Sequence, residues 1–260
     1  MKFLASWGVS LLLLSCTNMK GQDLSAYQKK VFEKNGQTMP YRILLPKDYD
    51  SSQKYPLLLF LHGSGERGDN NKSQLVHGSS LFLKDEVREK YKAIVVFPQC
   101  AANSSWAKVD SEGRYPNREF IFYEDPEPTK DMILLENLLK NLKQSYKVDE
   151  NRIYVGGLSM GGMGTFELVR RNPKMFAAAF PICGGANPLI SKKLAKPDWW
   201  VFHGDEDQVV PEKYSAGMVK AMKKIDIDVK YSVYPGIGHN SWDNAFAEPE
   251  LLAWVFSKSR

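Results

Sequence analysis

Several short runs along the chain are almost wholly apolar: 57–61 (LLLFL), 93–97 (AIVVF), 176–183 (FAAAFPIC) and 199–203 (WWVFH). Continuous runs of this length are what strands buried on both faces of a parallel sheet require. Residues from 152 and from 229 to 234 add two more strands. Between them the period changes to helical. Ile133, Leu134, Leu138 and Leu142 recur at helical spacing over 129–146, with Thr129 placed to cap and Asp131 in the first turn. Further helices are predicted within 75–90, over 160–171 (with Phe166 and Val169 on one face and Asn172-Pro173 to stop it), from 211 to 224 and over 249–258. Alternating residues at 26–33 and 39–45 flank Asn35-Gly36, which predicts an antiparallel hairpin. Strands alternating with helices argue an α/β fold, a mostly parallel central sheet with helices on both faces and right-handed crossovers.

One stretch escapes this pattern. From 98 to 128 no period is convincing, and a connection of that length inside one domain is typically a lid or binding element. It carries Trp106, Tyr115, Phe120, Phe122 and Tyr123, interleaved with Arg114 and Arg118. Such aromatics either wall a substrate or anchor the loop, and Trp106 is the foremost contact candidate.

The 260 residues suffice for one large domain, over 26–260. Apolar content of 43% and charged content of 25% are those of a globular protein. The net charge of +5 is scattered among acids, so no basic stripe suggests a nucleic-acid partner. Met1-Lys2 and the apolar run to Leu14 are too short to span a bilayer comfortably and read as a secretion signal over 1–15. Its end, Leu13-Leu14-Ser15-Cys16, resembles the bacterial lipoprotein signal. That resemblance implies lipidation of Cys16, a polar tether over 16–25, a place in the cell envelope, and membrane contact through the lipid alone. Cys100 and Cys183 each follow an apolar strand, and those strands are expected three positions apart in the sheet, about 14 Å at ~4.8 Å per strand. A disulfide needs Cα atoms within roughly 7 Å, so both are expected to be free thiols.

The chemistry centres on Gly157-Leu158-Ser159-Met160-Gly161, a G-x-S-x-G turn between a strand and a helix. A serine hydroxyl becomes a useful nucleophile when a sharp turn projects it toward a base, and such a turn leaves little room for side chains two residues either side. Gly157 and Gly161 meet that need. An activated serine also needs a base, and a carboxylate to orient the base. Asp207 and His239 follow Ser159 at the carboxyl ends of successive late strands. His62, His77 and His203 compete for the base; His62 belongs to a strand-end turn and His203 closes a strand, so structural hydrogen bonds are expected of both. The loop His62-Gly63-Ser64-Gly65-Glu66-Arg67-Gly68 suits an oxyanion hole, with Ser64 N–H and Met160 N–H as donors. Glu66 and Arg67 are a local ion pair, solvated loop residues or substrate contacts. Trp242, close after His239, is a further contact candidate.

Four segments in order, FLHGSGERG, GLSMGGMGTFEL, HGDEDQVVP and GIGHNSW, resemble the phospholipase/carboxylesterase branch of the α/β-hydrolases, including its feruloyl-esterase-like and predicted-peptidase members. The likeness runs from residue 41 to 256. In that family the acid is the second aspartate of H-G-D-x-D-x-x-V-P, which falls on Asp207 and makes Asp205 the alternate. A cysteine-nucleophile dienelactone hydrolase is related, and Ser159 argues against it. The resemblance implies a serine esterase that needs no metal or cofactor and acts on feruloyl or acetyl esters of plant polysaccharide. A general carboxylesterase or thioesterase, a serine peptidase, and a non-catalytic carbohydrate- or protein-binding lipoprotein are the alternatives.

Overall fold

Asn35 and Gly36 hold φ of 53° and 72°, the left-handed pair that a two-residue hairpin turn demands. They join β1 (Gln28–Lys34) to β2 (Gln37–Leu44), the expected hairpin. The computed structural model describes residues 23–113 and 118–260. The signal, Cys16, the tether up to residue 22, and Arg114 and Tyr115 lie outside the described residues.

After the hairpin come β3 (Tyr55–Leu61), α1 (Ser79–Leu83), α2 (Asp85–Lys90) and β4 (Ile94–Pro98). The chain continues through β5 (Val109–Glu112), β6 (Glu119–Phe122), α3 (Lys130–Ser145), β7 (Val148–Leu158), α4 (Met160–Arg171) and β8 (Ala178–Ile182). It closes with β9 (Asp198–Gly204), α5 (Lys213–Lys223), β10 (Val229–Tyr234), α6 (Trp242–Ala247) and α7 (Leu251–Phe256). The main sheet runs β1-β2-β4-β3-β7-β8-β9-β10, parallel throughout except that β2 is antiparallel to both neighbours.

Strand periodicity divides the core in two. Leu57, Leu59 and Leu61 of β3 face one layer with α3, α4 and α5, while Leu58 and Phe60 face the other with α1, α2, α6 and α7. All five are at most 1% exposed, which is why the run is uninterrupted by polar residues. Truncating such a leucine to alanine typically costs about 2–5 kcal/mol. Thr129 caps α3 as expected, its hydroxyl accepting from Met132 N at 3.1 Å.

Two expectations change. The single helix within 75–90 is broken, because Lys84 takes an extended conformation (φ −59°, ψ 133°) between α1 and α2; Leu81, Phe82 and Val87 still face the core. The segment without a period contains a second, two-stranded sheet, β5 paired antiparallel with β6. Cys100 and Cys183 are free and buried; each closely follows β4 or β8, which stand three positions apart.

Candidate active site

Leu158 ends β7 and Met160 begins α4, so the whole reversal falls on Ser159, at φ 54° and ψ −117°. A non-glycine residue there is strained, and the surroundings hold it: Ser159 N donates to Ile182 O (2.9 Å) and Ser159 O accepts from Met163 N (3.0 Å). The flanking glycines are sterically required. A Cβ on Gly157 would lie 2.4 Å from Gly161 O, and one on Gly161 would lie 2.0 Å from Leu61 O. The start of α4 therefore presses directly on the end of β3, which brings the Ser64 loop beside Ser159.

Across the sheet, Asp207 follows β9 and His239 follows β10. His239 Nε2 is 2.9 Å from Ser159 Oγ, and His239 Nδ1 is 2.7 Å from Asp207 Oδ2. An ionised Asp207 can only accept, so the network assigns the proton to Nδ1 and leaves Nε2 to take the serine proton. Asp207 Oδ1 accepts from Val209 N and Val210 N, both at 2.9 Å. Burial pushes the Asp207 carboxyl upward, but hydrogen bonds from His203 and His239, the His239 charge and the Val210 amide outweigh it and hold the group well below the usual carboxylate range. The alternate acid, Asp205, is exposed and accepts from Gly236 N at 2.7 Å, bracing the turn before His239.

His203 makes the structural bonds expected of it, with Nδ1 2.7 Å from Ser215 Oγ and Nε2 2.8 Å from Val210 O; it also reaches Asp207 Oδ2 at 3.2 Å. Ser215 and the Val210 loop thus support the acid, a part the sequence offers no sign of beyond His203 standing four residues before Asp207. His62 is buried, its Nδ1 donating to Gly63 O (2.6 Å) and its Nε2 accepting from Cys100 N (3.0 Å). Cys183, Asp207 and His239 bring ligand-type atoms within 4.8 Å of one another. Asp207 and His239 are committed to each other there, and burial pushes the Cys183 thiol up, so the donor set suits a proton relay better than a cation.

Residues 33–252 match the family described as "Putative esterase". The chain belongs to this esterase family. It is similar to an endo-1,4-beta-xylanase/feruloyl esterase of Xylanibacter ruminicola, 26% identical over 90% of this chain and 32% of that protein. It also resembles a bifunctional acetylxylan esterase/xylanase of Neocallimastix patriciarum, 27% identical over 64% of this chain and 21% of that protein. Among solved structures, a thermostable esterase matches with a TM-score of 0.82 and 34% identity, covering 91% of this chain and 64% of its own. The chain thus spans about a third or less of the two xylanase relatives.

Beside Ser159 opens a cleft of about 230 Å³. Ala107, Val109, Phe120, Met160, Met163, Val209 and Val210 give it an apolar lining, and Ser64, Arg67, Ser105, Ser111 and Arg118 a polar one. Ser64 and Met160 are the first residues of a 3-10 turn and of α4, so their amides lack an acceptor within those helices. Trp106 corrects an expectation: it is wholly buried, Nε1 donates to His62 O (3.1 Å), and its Cβ occupies the space that Gly164 leaves free. It anchors the loop and presents no surface to the cleft. No Glu66–Arg67 ion pair forms among the described residues. Glu66 faces His77 at 3.8 Å, outside the cleft lining, while Arg67 lines the cleft and donates to Ser64 O (2.9 Å) and Ser104 O (3.2 Å). Trp242 is also absent from the lining; its ring stands edge-on to His239 at 5.4 Å and against His77 at 4.9 Å.

Proposed function

We propose that the chain is an exported serine carboxylic-ester hydrolase, held at the cell envelope by lipid on Cys16 and acting on feruloyl or acetyl esters of plant polysaccharide. The observation that carries the ester chemistry is the relay from Asp207 through His239 to a strained Ser159 beside an open cleft, at 2.7 and 2.9 Å. Ser159 Oγ attacks the ester carbonyl as its proton passes to His239 Nε2, and the oxyanion is met by the Ser64 and Met160 amides. Collapse breaks the acyl–oxygen bond, and the imidazolium returns the proton to the departing alcohol. Water, deprotonated by His239, then attacks the acyl-enzyme, releasing the acid and restoring Ser159. The apolar lining of Val109, Phe120, Met163 and Val210 suits a flat or short acyl group. The substrate class is supported by the xylan-active relatives and by the export signal expected from the sequence.

The test is a panel of p-nitrophenyl acetate, methyl ferulate, acetylated xylan and a peptide amide, each with wild type and Ser159→Ala. Ester turnover is expected, reduced at least about 10³-fold by the substitution. Absence of turnover on every ester would leave a binding role, and turnover indifferent to Ser159→Ala would remove the nucleophile.

A further inference from the structure

Among the described residues, two guanidinium groups and no carboxylate line the cleft beside Ser159. Strand alternation produces this asymmetry. Val109 and Ser111 of β5, with Phe120 of β6 and Arg118 two residues before it, turn to the cleft, whereas Asp110, Glu112 and Glu119 occupy the intervening positions. Two of those acids are engaged elsewhere: Glu119 accepts from Lys213 Nζ and Tyr214 Oη, both at 2.6 Å, and Asp110 accepts from Tyr123 Oη. Asp207, the acid within the relay, is buried and engaged by His239. Among the described residues neither Arg67 nor Arg118 meets a carboxylate.

Both arginines are held in place without being neutralised. Arg67 is fixed by two backbone carbonyls, Ser64 O and Ser104 O. Arg118 donates Nη2 to Ser111 Oγ (2.7 Å) and lies over the Phe120 ring at 5.1 Å. Neutral acceptors and a ring face leave the positive charge uncompensated while restricting the side chain, so binding an anion costs little further ordering. We propose that Arg67 and Arg118 make the cleft selective for esters that also carry a free carboxylate, such as a monoester of a dicarboxylic acid or an ester on a uronate. This rests on the ester-hydrolase reading and narrows its substrate class.

The experiment compares matched charged and neutral substrates, each rate divided by that of alkaline hydrolysis. For charge on the acyl side, p-nitrophenyl hydrogen succinate is set against p-nitrophenyl butyrate; for the alcohol side, 4-acetoxybenzoate against 4-acetoxybenzamide. Both arginines are exposed, so the effect is screened and should be read at low salt. The expected result is a charged-to-neutral ratio in kcat/KM of about tenfold or more on at least one side, carried by KM. That ratio should fall with added salt, drop toward one in the double variant R67Q/R118Q, and be partly kept in R67K/R118K. A ratio near one in wild type, or one that survives R67Q/R118Q, overturns the assignment while the esterase stands. If no ester turns over, the hydrolase reading itself fails. Calorimetric titration of Ser159→Ala with monoethyl succinate then decides the arginines separately: binding abolished by R67Q/R118Q supports them, and absent or unaltered binding overturns them.

Discussion

At the residue scale the two aspartates of His203-Gly204-Asp205-Glu206-Asp207 separate cleanly. Asp207 is 5% exposed, accepts from two loop amides and meets His239 Nδ1; Asp205 is exposed and holds the Gly236 turn. Asp207→Asn places an amide where the carboxylate was, and its NH₂ can face Nδ1. The imidazole then prefers its proton on Nε2, where it can no longer act as a base. A fall in kcat of about 10³–10⁴ is expected, with the circular dichroism spectrum preserved. Asp205→Asn keeps an acceptor for Gly236 N, and kcat should stay within about twofold, since the exposed site carries no further duty. Steady-state kinetics on p-nitrophenyl acetate measure both, and a larger loss at Asp205 would reverse the assignment.

At the element scale the β5–β6 hairpin depends on a helix far along the chain. Tyr214 Oη of α5 accepts from Phe120 N at 2.7 Å and donates to Glu119 at 2.6 Å, and its ring packs on Phe120 and Phe122 at 5.7 and 5.3 Å. Tyr214→Phe keeps the packing and removes both hydrogen bonds, a loss of about 1–3 kcal/mol. Melting should fall by roughly 2–6 °C by calorimetry, and KM should rise about three- to tenfold with kcat less affected, because the cleft wall loosens while the relay is untouched. A fall in kcat alone would place the hairpin's role elsewhere. This dependence also explains what could be read in advance. Strands β3, β4, β8 and β9 were legible because burial on both faces forces a continuous apolar run. The hairpin was not: its strands have four residues each, three exposed in β5 and two in β6, and their support lies in α5. Helix α6, six residues long, is too short to establish a period. In the candidate site, the three residues that the structure brings together stand out because the chemistry demands a nucleophile, a base and a carboxylate; their Ser…Asp…His order is what the resemblance to the α/β-hydrolases adds. Trp106 misled because an aromatic in a loop looks the same whether it walls a cleft or plugs the core, and only the empty space at Gly164 decides.

At the scale of the whole molecule, His62 links the sheet, the Ser64 loop and the long connection. It lies just past β3, accepts from Cys100 N after β4, bonds Gly63 O, offers its own carbonyl to Trp106 Nε1 and precedes Ser64 by two residues. Those bonds require the neutral ring, since Nε2 must accept. Burial, against the opposing pull of the Gly63 carbonyl, pushes His62 down to about 4 from 6.5. The unfolded chain therefore binds a proton that the folded chain refuses between pH 6.5 and 4, and stability must rise with pH across that window. The contribution is whole above pH 6.5, is lost as pH falls toward 4, and amounts to about 3 kcal/mol at 1.36 kcal/mol per unit. Urea unfolding at pH 7, 5.5 and 4.5 should show that decline in wild type. His62→Asn can keep the bond to Gly63 O in place of Nδ1, but its shorter side chain gives up the Nε2 acceptor for Cys100 N and does not titrate, so its stability should be lower at pH 7 and much flatter below. An equal slope in both proteins would assign the acid sensitivity to other groups. Protonation of the His239 base lowers activity in both proteins, so the telling result is a loss that precedes unfolding and is larger in wild type than in His62→Asn; that excess would show that protonation of the His62 ring releases the Ser64 loop before the sheet gives way.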